Sequence, residues 1–280
     1  MRHIFVLNGS VKDHPFVEVI HDVMKDYDYE IVLTEDENHA MRVAEGLEGK
    51  NRIYSVGGDG LLNKVIQSIV NTENEVVIIP YGTGNDFHRY LNGEKDCRKV
   101  LIDSLNKPAI QVDTALLNNR YYISSACFGI DSVIANGVHS GINIPFVPEY
   151  IVGIIKNILT YKNRHIKIYD DQKVYFDDKM ILCTINNGKY YGGGFMITPD
   201  AEADDGILNL CVVDAIPRWK IPYMLVLLVL NKLNGRKDVH YYDVKNIKID
   251  CEYSCNLDGD EIKFDNYEIT ILPKSMNIVK

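Results

Sequence analysis

Four clusters of small and acidic residues could carry chemistry. The first is Gly57-Gly58-Asp59-Gly60, between the β-branched and aromatic run RIYSV and the apolar-periodic LLNKVIQSIV. Glycines let a backbone turn tightly and let phosphate oxygens approach amide N–H groups at the positive end of a helix. This loop has no Walker lysine, and Asp59 puts a carboxylate where phosphate charge would lie. Such a carboxylate is repulsive unless a cation stands between the two. Asp59 therefore points to Mg²⁺ bridging it to a nucleotide; a helix cap is the plainer alternative.

The second cluster, IIPYGTGNDFHRYL, repeats the layout. Thr83, Gly84, Asn85 and Asp86 offer hydroxyl, bare backbone, amide and carboxylate ahead of a helix expected to begin near Phe87. Asn85 or Asp86 would also serve as its cap. The third cluster runs from Asn186 to Leu210. Three glycines in a row (Gly192–Gly194) invite close backbone approach. Asp204-Asp205-Gly206 reads as a turn, although Glu202 and Asp205 could hold a divalent ion together with backbone carbonyls. The fourth is NLDGDEI. Asp-Gly between alternating segments signals a hairpin. Asp258 and Asp260 are expected on one side of an extended segment, either of them able to act as general base.

Positioning these clusters requires a regular frame. HIFVLN, YEIVLT, RIYSV and EVVIIP read as strands, alternating with helical patterns. In PFVEVIHDVMKDY, Pro15 sits in the first turn, and Phe16, Val19, Ile20 and Val23 share a face. ENHAMRVAEGLEG is expected to be a helix ended by Gly49. Repeated β-α units predict a parallel sheet with helices on both faces, whose ligands bind beyond the carboxyl ends of the strands. Both glycine loops would open there.

After about Pro108 the pattern becomes short alternating runs with turn residues between them, predicting mostly antiparallel β structure. The fold class read here is thus α/β plus β: an N-terminal α/β nucleotide-binding domain (1–112) and a C-terminal, mostly antiparallel β-sandwich domain (113–265). The last strand, near 266–280, is free to return to the first domain.

At 280 residues and 46% hydrophobic, the chain can bury a substantial core. A net charge of −9 argues against a nucleic-acid partner. The longest apolar run, IPYMLVLLVL, is well short of the ~20 residues that span a bilayer, and the N-terminus reads as a strand, so a cytoplasmic chain is expected. The six cysteines lack paired zinc spacing and read as reduced thiols of the core.

The ordered set of motifs resembles the diacylglycerol kinase catalytic-domain family, in its bacterial soluble lipid-kinase branch. The resemblance lies in GGDG, P-x-GTGNDF-x-R, S-x-A-C-F-G-I-D, N-G-x-x-x-GGGF-x-x-x-PDA-x-x-DDG and L-D-G-x, spread over nearly the whole chain. It implies ATP and Mg²⁺ in a cleft between the two domains. Asn8, Gly9, Ser10, Val11 and Lys12 match the N-terminal nucleotide loop, and Thr34 matches a nucleotide-contacting threonine. Gly58, Asp59, Gly60 and Asn63 match the glycine loop, and Thr83 the second loop. Glu202, Asp205 and Ile207 match a structural Mg²⁺ site, with Glu202 and Ile207 acting through backbone carbonyls. Asp258 and Asp260 match the motif that carries the catalytic base. Lys12 and Arg89 are candidate phosphate partners.

The chain departs from the pattern at NGSVK, at Leu61 in place of the loop threonine, at Lys64 in place of a glutamate, and at Asp260, one methylene shorter than the usual glutamate. The expected activity is phosphoryl transfer from ATP to a hydroxyl of diacylglycerol or a related lipid at the membrane surface, the chain being transiently peripheral and a homodimer left open. INIPFVPEYIVGIIKNILTYKNRHIK, with Lys156, Lys162, Arg164, His165 and Lys167, suits an interfacial helix; a core helix over a sheet is its alternative. A soluble-substrate kinase of the NAD kinase type, and a catalytically weak nucleotide- or lipid-binding homologue, are the competing readings.

Overall fold

The computed structural model describes residues 1–9, 14–36, 38–130 and 160–280. Its first part comprises β1 (Arg2–Leu7), α1 (Phe16–Met24), β2 (Tyr29–Leu33), α2 (His39–Glu45), β3 (Asn51–Gly57), α3 (Asp59–Ile66), β4 (Glu75–Pro80), α4 (Asp86–Leu91) and α5 (Cys97–Asn106). The second part comprises β5 (Ala109–Leu117), β6 (Arg120–Tyr122), β7 (Ser125–Gly129), β8 (Arg164–Tyr169), β9 (Val174–Asn186), β10 (Tyr190–Tyr191), β11 (Phe195–Met196), β12 (Leu208–Asp214), α6 (Ile221–Val229), β13 (Val239–Val244), β14 (Asn246–Asp250), β15 (Cys255–Leu257), β16 (Asp260–Ile262) and β17 (Tyr267–Val279).

β1 pairs in parallel with β2 and β3, β3 with β4, and β4 with the end of β17. Strand side chains alternate between faces, and here both faces are buried. Ile4, Val6, Ile53, Val76 and Ile78 pack beneath α2 and α3. Phe5, Leu7, Tyr54, Val56, Val77 and Ile79 pack beneath α1 and α5. That is why β4 reads as an unbroken apolar run, Val76–Ile79, rather than an alternating one.

The second part is antiparallel: β9 lies between β8, β7 and β12, and β14 between β8 and β17. It curls around a core that includes Leu117, Phe128, Ile168, Ile185, Leu210, Ile249 and Tyr267, giving the expected sandwich-like layer. β5 and β17 pair along most of their length and run through both parts, with a break in register between Leu272 and Met276. At that break Lys274 has φ +51°, and its N–H donates to the buried Asp113 carboxylate at 2.7 Å.

One local expectation is corrected, and another lies mostly outside the described residues. α2 ends at Glu45, because Gly46 N–H already reaches back to Arg42 and Ala44 carbonyls; Gly49 instead takes φ +70° before β3. Most of the segment expected to form an interfacial helix lies outside the described residues. Its basic tail is strand β8, where Arg164 stacks over Tyr253 at 4.9 Å and His165 pairs with Asp177 at 3.1 Å.

Candidate active site

The carboxyl ends of β1, β2, β3 and β4 converge as the parallel topology requires. Thr34 N–H donates to Leu7 O at 2.9 Å, and Gly9 N–H donates to Thr34 Oγ1 at 3.0 Å. A Cβ on Gly9 would lie 1.8 Å from Thr34 O, so glycine alone lets the two strand ends close. Asn8 and Thr34 are thereby brought to one edge. Ser10, Val11 and Lys12 lie outside the described residues.

Gly57 pairs with Pro80 across β3 and β4, so the two glycine loops leave adjacent strands at one level. They touch backbone to backbone. A Cβ on Gly82 would sit 2.4 Å from Gly58 Cα and 2.8 Å from Gly58 N. Gly82→Ala is expected to force the loops apart and lower stability by about 1–3 kcal/mol. A thermal melt of the variant beside the native chain checks it. A Cβ on Gly60, by contrast, would meet nothing, leaving room for a ligand to approach this backbone. Leu61, where the family pattern has a threonine, folds back on Gly57, whose Cβ would come within 2.7 Å of Leu61 Cδ2.

Asp59 opens α3 and fastens the second loop. Its Oδ2 accepts from Asp86 N–H at 3.1 Å and its Oδ1 from Phe87 N–H at 3.4 Å, so it caps α4 from a neighbouring element. Asn85 takes the left-handed conformation (φ 52°) and folds its amide back on Gly82 N–H and O. Thr83 is exposed on the loop. Asp86 accepts from Gly193 N–H at 2.8 Å, which ties the glycine run between β10 and β11 to α4. Burial pushes the Asp86 carboxyl up; Asp59's charge adds to this, against the Gly193 N–H and Arg89. Arg89 reaches Asp86 and Gly84 O, and a Cβ on Gly194 would overlap its guanidinium.

The second part contributes the β15–β16 hairpin. Asp258 is not on an extended segment: it takes φ +47° and Gly259 φ +103°, forming the turn. Its carboxylate is buried and accepts four N–H groups. Ser124 and Ser125 donate to Oδ1 at 3.0 and 2.8 Å; Ile123 and the Asn63 amide donate to Oδ2 at 2.8 and 3.1 Å. Asn63 also donates to Tyr121 O, so its side chain joins α3 to the hairpin. Burial pushes the Asp258 carboxyl up to about 6 despite these donors. The folded chain then holds that proton more tightly than the unfolded one. Asp258's contribution to stability therefore falls as pH rises from about 4 to 6, by roughly 3 kcal/mol, and is level above that. Chemical denaturation of the native chain and Asp258→Asn across this window is expected to show that difference.

Asp260 begins β16 and forms an ion pair with Lys64 of α3. Both hairpin aspartates thus face α3, but in unlike surroundings: Asp258 is enclosed, while the Asp260 side chain remains 32% exposed.

Around Asp205, its Oδ1 accepts from Ile207 N–H at 2.9 Å. Asp113 Oδ2 accepts from Gly206 N–H at 2.7 Å, and Tyr90 Oη accepts from Ala203 N–H at 3.0 Å. Burial, then the charges of Asp113, Glu202 and Asp204, push the Asp205 carboxyl up. Among the described residues no three His, Cys, Asp or Glu side chains are grouped to hold a metal by themselves. A cation here would need backbone carbonyls, as the expected set of Glu202, Asp205 and Ile207 supplies. Asp113 and Tyr90 gave no signal in the sequence, and Lys64 read only as a departure from the family pattern, since each acts on a partner far along the chain.

Comparison with known proteins places this arrangement. Residues 3–117 match the diacylglycerol kinase catalytic domain, and residues 124–280 match the YegS C-terminal NAD kinase beta sandwich-like domain. A protein of Chromohalobacter salexigens named "Probable lipid kinase YegS-like" is 25% identical over 81% of this chain and 75% of its own length. A Staphylococcus saprophyticus protein named "Diacylglycerol kinase" is 27% identical over 74% and 70%. The crystal structure of a diacylglycerol kinase from Bacillus anthracis superposes with a TM-score of 0.76 at 19% identity, covering 99% of this chain and 96% of that one. An NAD kinase from Archaeoglobus fulgidus in complex with ATP shares the fold more distantly, with a TM-score of 0.57 at 13% identity over 100% and 94%. From its motifs, its joined glycine loops and both domain matches, the chain belongs to the diacylglycerol kinase catalytic-domain family.

Proposed function

We propose that the chain is a lipid kinase that transfers the γ-phosphoryl group of ATP to a hydroxyl of diacylglycerol or a related lipid. The carrying observation is the contact of the Gly58 and Gly82 loops, fastened by Asp59, with the Asp260 hairpin held to α3 through Lys64. Backbone N–H groups of the two loops, with Asn8, Gly9 and Thr34 at the neighbouring strand ends, would cradle the phosphates. The names of the similar proteins, lipid kinase and diacylglycerol kinase, support the same reading.

The residues fit a divalent cation. Asp59 and the buried Asp86 raise negative charge beside the loops, and Asp205 does so at a second place. Asp59 would hold Mg²⁺ at the phosphates, and Glu202, Asp205 and Ile207 a structural Mg²⁺. Held there, Mg²⁺ would supply positive charge against that developing on the transferred group.

Asp258 has four donors on its two oxygens, which fills the acceptor capacity of a carboxylate. Asp260 is therefore assigned as the base, held by Lys64. It takes the hydroxyl proton while the lipid oxygen bonds to the γ-phosphorus and the β–γ bridging bond breaks, releasing ADP. Asn63 and Asp258 position the hairpin.

The test uses γ-labelled ATP with Mg²⁺ and a panel of lipid alcohols in vesicles, run beside NAD. Label in lipid and none in NAD is expected. Labelled NADP would move the chain to the soluble-substrate reading. Binding of ATP without any transfer would leave a nucleotide-binding homologue.

A further inference from the structure

α6 is far more apolar on its outer surface than contact with water favours. Its inner face, Ile221, Met224 and Leu228, packs against the sheet. Its outer face is formed by Tyr223, Leu225, Val226, Val229 and Leu230, each between 37% and 61% exposed. Trp219, in the 3-10 turn ahead of it, is 76% exposed. A helix with one face in water normally carries charged residues there, yet Ile221–Leu230 contains none. Contiguous exposed apolar surface marks an interaction site.

The charge around this face indicates the partner. Between Ala215 and Lys237 stand Arg218, Lys220, Lys232, Arg236 and Lys237 without a single acidic residue, in a chain of net charge −9. Arg236 is paired with Asp238 at 2.7 Å. Lys220 and Lys232 bracket the apolar face and are exposed. An apolar centre, basic flanks and an exposed Trp and Tyr match the headgroup level of an anionic bilayer. Among the described residues no helix is long and apolar enough to cross a membrane, so α6 would lie on the surface. The space beneath α6, about 50 Å³ beside Ile181, Leu182 and Val213, is far below the ~300 Å³ of small-molecule sites. The outer face, not an inner pocket, therefore meets the lipid.

This face connects to the candidate active site. α6 packs on β11, where Phe195 is 38% exposed. The same hairpin carries Gly193, whose N–H is bonded to Asp86. We propose that α6, with Trp219, Lys220 and Lys232, is a docking surface for an anionic bilayer, set so that the glycine hairpin lies between the membrane and the phosphate loops. The purpose of the contact rests on the lipid-kinase reading; the contact itself does not.

Trp219 is the only tryptophan, so its emission reports this surface alone. The full chain is titrated, without ATP, with phosphatidylcholine vesicles that contain or lack phosphatidylglycerol. Expected are a blue shift and quenching by acyl-brominated lipid on the anionic vesicles. Lys220→Gln and Lys232→Gln should each weaken binding about 5-fold. The double variant Val226→Glu/Val229→Glu should weaken it at least ~10-fold, while phosphorylation of a water-dispersed short-chain lipid alcohol is unchanged. Emission indifferent to anionic vesicles, or glutamate variants that bind like the native chain, would overturn the proposal. So would a stable dimer in sedimentation velocity that shields Trp219 without lipid, which would give the face to a second copy. A blue shift in a chain that transfers no phosphate would uphold the docking surface and remove the kinase reading.

Discussion

Replacing Asp59 with asparagine is expected to lower kcat about 10³-fold while moving the unfolding midpoint by only about 1–2 °C. The substitution separates two roles of one side chain. As a cap, Asp59 accepts the Asp86 N–H at 3.1 Å and the longer Phe87 N–H at 3.4 Å, and asparagine keeps an oxygen for the shorter of the two. As a charge, it has no neutral replacement. It stands close enough to Asp86, His88 and Asp258 for its charge to bear on each of them. A variant that melts like the native chain and turns over like it would reduce Asp59 to a cap. The loop would then be a structural turn rather than part of a phosphate site.

The second large effect is expected at the hairpin. Asp260→Asn should lower kcat by about 10²–10³-fold with little change in ATP affinity, because the side chain is paired with Lys64 rather than with either glycine loop. Lys64→Gln should cost about 10-fold in kcat through loss of placement. Asp258→Ala should instead be lost chiefly to unfolding, since it leaves three backbone N–H groups and the Asn63 amide without their buried acceptor. The contrast is measured by kcat at saturating ATP alongside a denaturation midpoint for each variant. Full turnover in Asp260→Asn would take the base away from the hairpin.

Much of the frame was legible because its signals are local. Apolar runs ending in Gly-Gly-Asp-Gly and Gly-Thr-Gly-Asn-Asp announce strands feeding helices, and Asp-Gly between alternating segments announces the hairpin. What pattern could not supply is which distant residues meet. Lys64 and Asp260 stand 196 positions apart, and no periodicity pairs them. Each reads alone as a departure from the family pattern, yet together they form one ion pair. Asn63 looks like a loop residue for nucleotide, but its amide is spent on Asp258 and Tyr121. Asp113 is hidden within the strand run AIQVDTALL, although its carboxylate secures both the Gly206 turn and the β17 register break. Exposure is just as invisible to pattern: IPYMLVLLVL reads only as an apolar run too short to span a bilayer, and the structure shows half of it facing outward.

The central claim is that the joined glycine loops and Asp59 hold ATP for transfer to a lipid hydroxyl. Its most direct test is a single-turnover assay with γ-labelled ATP, Mg²⁺ and diacylglycerol vesicles, run on the native chain and Asp59→Asn in parallel. Label should appear in the lipid phase with the native chain and be about 10³-fold slower with the variant. A native chain that binds ATP yet labels no lipid, or a variant that labels it at the native rate, would contradict the claim.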